Sequence, residues 1–189
     1  MKLTLIRHGE TEGSRRDLYY GAADIPVLPD SLKALEEKAK AGVYPTAGRY
    51  CISGMLRTVQ TLRALYGDVP YTVLPGLREM DFGDFEMRSY EELKDDPAFR
   101  RWMTDSEHNP CPNGESAPQT MARNLAAIGT VLASDEDAVC VIHGGVIAGF
   151  MMTWFGGLRV DWYRQAGTGY QVTFSGGVPT GWLPIPEGK

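Results

Sequence analysis

The stretch that most constrains this chain is Leu3 to Glu12, which reads LTLIRHGETE. Its apolar run, Leu3 to Ile6, has the length and composition of a buried strand. The run stops at Arg7, His8 and Gly9. In open α/β sheets the ligand crevice lies beyond the carboxyl ends of the strands. An arginine placed there brings a permanent charge and a forked donor. A histidine beside it offers an imidazole that serves as nucleophile or base near neutral pH. The glycine that follows lets the backbone turn away.

Two later segments repeat this design. Ala138 to Ile142 is an apolar run that ends in His143-Gly144-Gly145, and Tyr50 to Ser53 feeds Gly54-Met55-Leu56-Arg57. If the three strands are neighbours, Arg7, His8, Arg57 and His143 converge on one anion. Amide donors at the start of the helix carrying Arg57 also favour negative charge.

The chain of 189 residues is read as one domain, 1–189, long enough for a sizeable core. A net charge of −5 argues against general nucleic-acid binding, though a local basic pocket is compatible with it. The three cysteines, Cys51, Cys111 and Cys140, form no CxxC, so a disulfide framework is not expected and a cytoplasmic setting is. No signal peptide and no membrane-spanning run is read. The three histidines have no i,i+4 pair, so no metal site is expected. His108, among turn residues, reads as an exposed loop histidine, and Trp102, Trp154 and Met151-Met152 as packing residues.

Along the chain, residues 10–29 read as a polar loop over the crevice, with Arg15 and Arg16 either on its rim or simply solvated. A helix follows over Leu32 to Ala41. Ser53 is read as the cap of a helix with apolar positions Leu56, Val59, Leu62 and Leu65, ended by Gly67. Tyr71 to Leu74 reads as a strand closed by Pro75-Gly76. The rhythm then breaks. Ser89 with Glu92 forms a capping box and Asp96-Pro97 a helix start, so residues 80–114 are expected to form a helical, lid-like insertion over the site. Ser116 and Gln119 open a helix with a stripe at Met121, Leu125, Ile128 and Leu132. An apolar helix, Val146 to Phe155, stops at Gly156, and Tyr170 to Phe174 and Thr180 to Leu183 read as late strands on an antiparallel edge. The expected fold is a three-layer α/β/α sandwich with a mostly parallel central sheet.

These residues resemble the histidine phosphatase superfamily, also called the phosphoglycerate mutase-like family. The resemblance rests on Arg7-His8-Gly9-Glu10-Thr11, on Gly21, Asp24 and Pro26, on SGMLRTVQT (53–61), on LREMDFGDF (77–85), on PNGES (112–116) and on His143-Gly144-Gly145, all in order. It implies that His8 attacks phosphorus and becomes a phosphohistidine. Arg7, Arg57 and His143 would hold the phosphoryl oxygens, and Glu79 would protonate the leaving oxygen and then help activate water. Glu10 and Glu86 stay open as alternative acids. Thr11, Ser14 and Gly144 are the expected substrate contacts, although Ser14 stands where members often carry an Asn that contacts phosphate. Met87-Arg88 also departs from the family's pattern after Phe85-Glu86.

The implied function is a metal-independent, cofactor-free phosphomonoesterase acting on a small phosphorylated metabolite, with inorganic phosphate as product. The alternatives are a bisphosphoglycerate-primed phosphoglycerate mutase, or a phosphate-binding scaffold without turnover. PNGES looks more like the phosphatase branch. No nucleic-acid or membrane partner is expected, and the apolar late helix is compatible with a homodimer.

Overall fold

The computed structural model describes residues 1–186. In chain order the elements are β1 (Lys2–Arg7), α1 (Glu12–Arg15), β2 (Leu18–Tyr19), α2 (Pro29–Lys40), β3 (Arg49–Ile52), α3 (Leu56–Tyr66), β4 (Thr72–Val73) and β5 (Arg88–Ser89). They continue as α4 (Tyr90–Leu93), α5 (Pro97–Thr104), α6 (Ala117–Leu132), β6 (Ala138–Ile142), α7 (Gly144–Phe155), β7 (Gly169–Ser175) and β8 (Val178–Ile185).

Side-chain alternation along the strands explains the layers. Successive residues of a strand point to opposite faces. Leu3 and Leu5 of β1, Cys51 of β3, and Cys140 and Ile142 of β6 pack with Ile128 and Val131 of α6 and Val146, Ile147 and Phe150 of α7. Ile6, Ile52, Val139 and Val141 point the other way, onto Leu35 of α2 and Leu62 and Leu65 of α3. Each fully buried aliphatic side chain contributes about 1.5–3 kcal/mol by leaving water. The result is the expected α/β/α sandwich.

The sheet order is β4-β3-β6-β1-β7-β8. β1 and β3 both pair parallel with β6, placing Arg7 opposite Ile142 and Ile52 opposite Val141. β7 and β8 add the antiparallel edge. The three strand ends singled out above are therefore neighbours. Among the described residues no helix is long and apolar enough to cross a membrane.

A smaller cluster lies in the 80–114 segment. Met80, Phe85, Leu93, Phe99 and Cys111 are buried together, with Tyr19, Phe82 and Trp102 against them. Tyr19 comes from β2, which pairs with β5, so the segment is tied to the stretch after the first histidine.

Some expectations are corrected. Residues 10–29 are not simply loop, because they hold α1 and β2. α1 forms because Thr11 and Ser14 make a reciprocal capping box, with Ser in the place usually held by Glu or Gln. The next helix starts at Pro29, using proline's fixed φ in the first turn, rather than at Leu32. Met55, not Ser53, is the cap residue of α3. The buried face of α6 is Thr120, Asn124, Ile128 and Val131: Ile128 is where the apolar reading put it, and the other three stand one position before Met121, Leu125 and Leu132. Two of those positions are polar because Asn124 donates to the carbonyls of Gly76 (2.7 Å) and Arg78 (3.1 Å), and Thr120 donates to Glu115 (3.1 Å).

Candidate active site

The carboxyl ends of β1, β6 and β3 open into a cavity of about 340 Å³. Arg7, His8, Arg57, Glu79, His143, Gly144 and Gly145 line it, together with Tyr20, Tyr163 and Arg159. The strand pairing explains how residues so far apart in sequence meet. The His8 amide donates to the Ile142 carbonyl at 2.9 Å, which sets His143 beside it. The two imidazole centroids are 5.3 Å apart.

Hydrogen bonding fixes both tautomers. His8 Nδ1 lies 2.7 Å from the Gly9 carbonyl. A carbonyl only accepts, so Nδ1 carries the proton and Nε2 keeps its lone pair. At His143 the order is reversed. Arg57 Nε donates to Nδ1 at 3.4 Å, so Nε2 carries the proton and donates to Ser53 Oγ at 2.8 Å. Ser53 continues to Thr58, 3.3 Å away, whose hydroxyl donates to the Met55 carbonyl at 2.7 Å. Ser53 thus serves the second histidine instead of capping the helix.

The charges are held just as firmly. Arg57 is fully buried. Besides Nε, its Nη1 donates to the Ala23 carbonyl and its Nη2 to the Gly21 carbonyl, both at 2.8 Å. A guanidinium has five N–H donors, so one on each terminal nitrogen stays available. Arg7 donates through Nη1 to the Arg164 carbonyl at 2.8 Å, while its buried Nε has no partner among the described residues. Tyr163 lies under Arg7 at 4.8 Å and Tyr20 under Arg57 at 5.1 Å, each a cation–π contact.

Glu79 faces this cationic group. Its Oε2 accepts from the Gly145 amide at the start of α7 (2.9 Å), and its Oε1 from the Met80 amide (3.1 Å). A Cβ at Gly145 would stand 2.7 Å from Glu79 Oε1 and from Arg159 Nη2, so any larger residue there would displace the carboxylate and the guanidinium. From behind, Arg123 donates to the carbonyls of Gly76, Arg78 and Glu79 and pairs with Glu115 at 2.6 Å.

The other expected site residues divide. Gly144 lines the cavity. Thr11 does not: it is buried, caps α1 and bonds the Tyr20 hydroxyl at 2.8 Å. Ser14 is turned into the same cap and reaches only an adjoining recess of about 620 Å³. Glu10, Asp17, Asp30, Ser31 and Tyr163 also line that recess. Arg15 is paired with Glu10 (2.5 Å) and Asp30 (2.6 Å) at the protein surface, so it does not stand as a free cation on the rim. Glu86 lies outside the cavity lining. His108 is exposed and paired with Asp105 at 2.9 Å. Among the described residues no three His, Cys, Asp or Glu side chains gather as a metal cage. Tyr20, Tyr163 and Arg159 escaped the sequence reading because none belongs to a motif or to a strand end.

Burial, followed by the charges of Arg57 and Arg7, holds His8 well below the ordinary imidazole value of 6.5, against the opposing bond to Gly9. Burial, Arg57 and then His8 do the same to His143. Both rings are therefore neutral near pH 7, and His8 Nε2 is an available nucleophile. The sign for stability follows. Below pH 6.5 the unfolded chain binds protons that the folded one refuses, so the stabilisation is complete above 6.5 and is lost as pH falls. Thermal melts between pH 6.5 and 5 should show a declining Tm, with a limiting slope of about 1.4 kcal/mol per pH unit for each histidine. His143→Gln should make the decline shallower, and a Tm unchanged over that window would contradict the neutral, buried assignment.

The comparisons agree with this geometry. The sequence profile described as histidine phosphatase superfamily (branch 1) matches residues 3–173. The adenosylcobalamin/alpha-ribazole phosphatase of Salmonella typhimurium is 33% identical over 155 residues, 78% of this chain and 76% of that protein. A 2,3-bisphosphoglycerate-dependent phosphoglycerate mutase of Rhizobium etli is 26% identical over 160 residues, covering 77% of this chain and 76% of its own length. In fold, the chain superposes on the crystal structure of a putative alpha-ribazole-5'-P phosphatase from Escherichia coli with a TM-score of 0.88. That match covers 98% of this chain and 95% of the other at 24% identity. With its strand-end histidines and arginines gathered around one cavity and the family profile spanning nearly its whole length, this chain belongs to the histidine phosphatase superfamily, branch 1.

Proposed function

We propose that the chain hydrolyses phosphate monoesters through a phosphohistidine on His8. One observation carries the reading: His8 shares a single cavity with Arg7, Arg57, His143 and Glu79, and its tautomer leaves Nε2 unprotonated. In the first step Nε2 attacks phosphorus and the ester P–O bond breaks. The leaving oxygen takes a proton from Glu79. In the second step water attacks phosphorus, the N–P bond breaks, and the water's proton passes to Glu79. Phosphoryl transfer is governed by positioning and charge stabilisation, which two arginines held by backbone carbonyls supply. Gly144 contributes its amide at the start of α7, and the 80–114 segment covers the site as a lid-like insertion of the one domain.

For the substrate we favour α-ribazole phosphate, on which the Salmonella relative acts by its name. The adjoining recess supports an alcohol larger than glycerate. Glu10, Asp17 and Asp30 outnumber Arg7 in its lining and oppose the carboxylate of a phosphoglycerate. The mutase reading is favoured by the Rhizobium etli relative, and a requirement for primer separates the two.

The test is phosphate release in EDTA from α-ribazole 5'-phosphate, p-nitrophenyl phosphate and 3-phosphoglycerate. The phosphoglycerate is run with and without 2,3-bisphosphoglycerate. The expected result is EDTA-resistant hydrolysis, with kcat/KM for the ribazole ester at least about 100-fold above that for 3-phosphoglycerate, equivalent to about 2.7 kcal/mol of differential transition-state binding. Interconversion of 3- and 2-phosphoglycerate, followed separately because it frees no phosphate, that appears only with the primer would instead establish the mutase.

A further inference from the structure

We propose that Glu86 is a positioning residue for Arg57, acting through the backbone of the Gly21–Ala23 loop; this rests on the reading of Arg57 as a phosphoryl ligand. The Glu86 side chain is half-buried, and each of its carboxylate contacts described here is a backbone amide. It accepts from the N–H groups of Gly21 (2.9 Å), Ala22 (2.9 Å), Ala23 (3.1 Å) and Phe82 (3.0 Å). The opposite side of the same loop faces Arg57. The Gly21 carbonyl accepts from Nη2 and the Ala23 carbonyl from Nη1, both at 2.8 Å.

One peptide group joins the two charges directly. The peptide between Gly21 and Ala22 gives its N–H to Glu86 and its C=O to Arg57. Its dipole is thus aligned by an anion at one end and a cation at the other, and such chains polarise one another in a low-dielectric interior. The loop has little freedom to respond otherwise. A Cβ at Gly21 would come within 1.7 Å of the Met80 carbonyl oxygen, and Asp24 accepts from the Leu56 amide at 2.7 Å, pinning the loop to the start of α3. Glu86 therefore sets which way the Gly21 and Ala23 carbonyls point. Those carbonyls set which N–H groups of Arg57 are left for the phosphoryl oxygens.

A double-mutant cycle tests this, with inorganic phosphate as the probe and isothermal titration as the readout. Four proteins are compared: unmodified, Glu86→Gln, Arg57→Met, and the double variant. Contacting or network-sharing residues couple, whereas independent ones add. Glu86→Gln alone is expected to weaken phosphate binding about tenfold, and in the Arg57→Met background by less than about twofold. A merely structural Glu86 predicts the same fold-loss in both backgrounds, and that additivity would overturn the proposal. Should Glu86→Gln fail to fold, Glu86→Asp, which keeps the charge but shortens the reach, enters the same cycle under the same criteria. The two readings fail differently. Unchanged phosphate affinity in Arg57→Met would remove Arg57 from the anion site, whereas a large Arg57→Met loss with additive Glu86 effects would sink only the positioning role.

Discussion

His8→Ala should lose phosphatase turnover by about 10⁴-fold or more while still binding phosphate. Removing a nucleophile eliminates the covalent route, and what remains is the rate supported by binding and charge stabilisation alone. Arg7 and Arg57 are held by the carbonyls of Arg164, Gly21 and Ala23, none of which depends on His8. Steady-state phosphate release gives the loss in kcat. Acid-sensitive, base-stable labelling of the protein by a radioactive monoester reports the phosphohistidine directly and should disappear in the variant. Turnover retained at more than about one hundredth of the original would place the nucleophile elsewhere, because no other group can replace a lost nucleophile so fully.

Glu79→Gln is expected to divide substrates by their leaving groups. An alkyl phosphate needs a proton on its departing oxygen, and general acid catalysis contributes about 10²–10⁴-fold. An aryl phosphate leaves as a stabilised anion and does not need that proton. The variant should therefore release aryl alcohol in a rapid burst of about one equivalent. Slow turnover should follow, because the same carboxylate also serves the attack of water. Glutamine can still accept from the Gly145 amide, which reaches Glu79 Oε2 at 2.9 Å, while the longer bond from the Met80 amide (3.1 Å) is given up together with the proton. Equal losses for alkyl and aryl esters, without a burst, would mean another acid. The alternatives left open by the sequence are poorly placed for that work. Glu86 is occupied by backbone amides, and Glu10 is paired with Arg15 in the outer recess.

The short-range features of this chain were legible as written. The near-continuous apolar runs Leu3–Ile6 and Ala138–Ile142 give strands buried on both faces. The capping boxes at Ser89 and Ser116 and the cap at Asp96 start their helices as expected. The same local reading failed where a local bond has two uses. Ser53 has the look of a cap but is taken by His143, 90 residues away. Thr11 and Ser14 were the expected substrate contacts but are engaged in the cap of α1. Asn124 and Thr120 are polar, so the apolar reading of α6 caught Ile128 but put Met121 and Leu125 where these two face inward onto bonds to Gly76, Arg78 and Glu115.

By itself the sequence determined which residues stand at the carboxyl ends of strands, since period, cap and glycine stop are written within a few neighbouring residues. That sufficed to single out Arg7, His8, Arg57 and His143. Only the tertiary structure decided that β3, β6 and β1 are neighbours, that Tyr20 and Tyr163 lie under the two arginines, and that Glu86 grips the loop whose carbonyls hold Arg57. The physical reason is range. A strand or a cap is stabilised by bonds a few residues apart, whereas the orientation of a guanidinium is set by carbonyl oxygens whose positions depend on how distant segments pack.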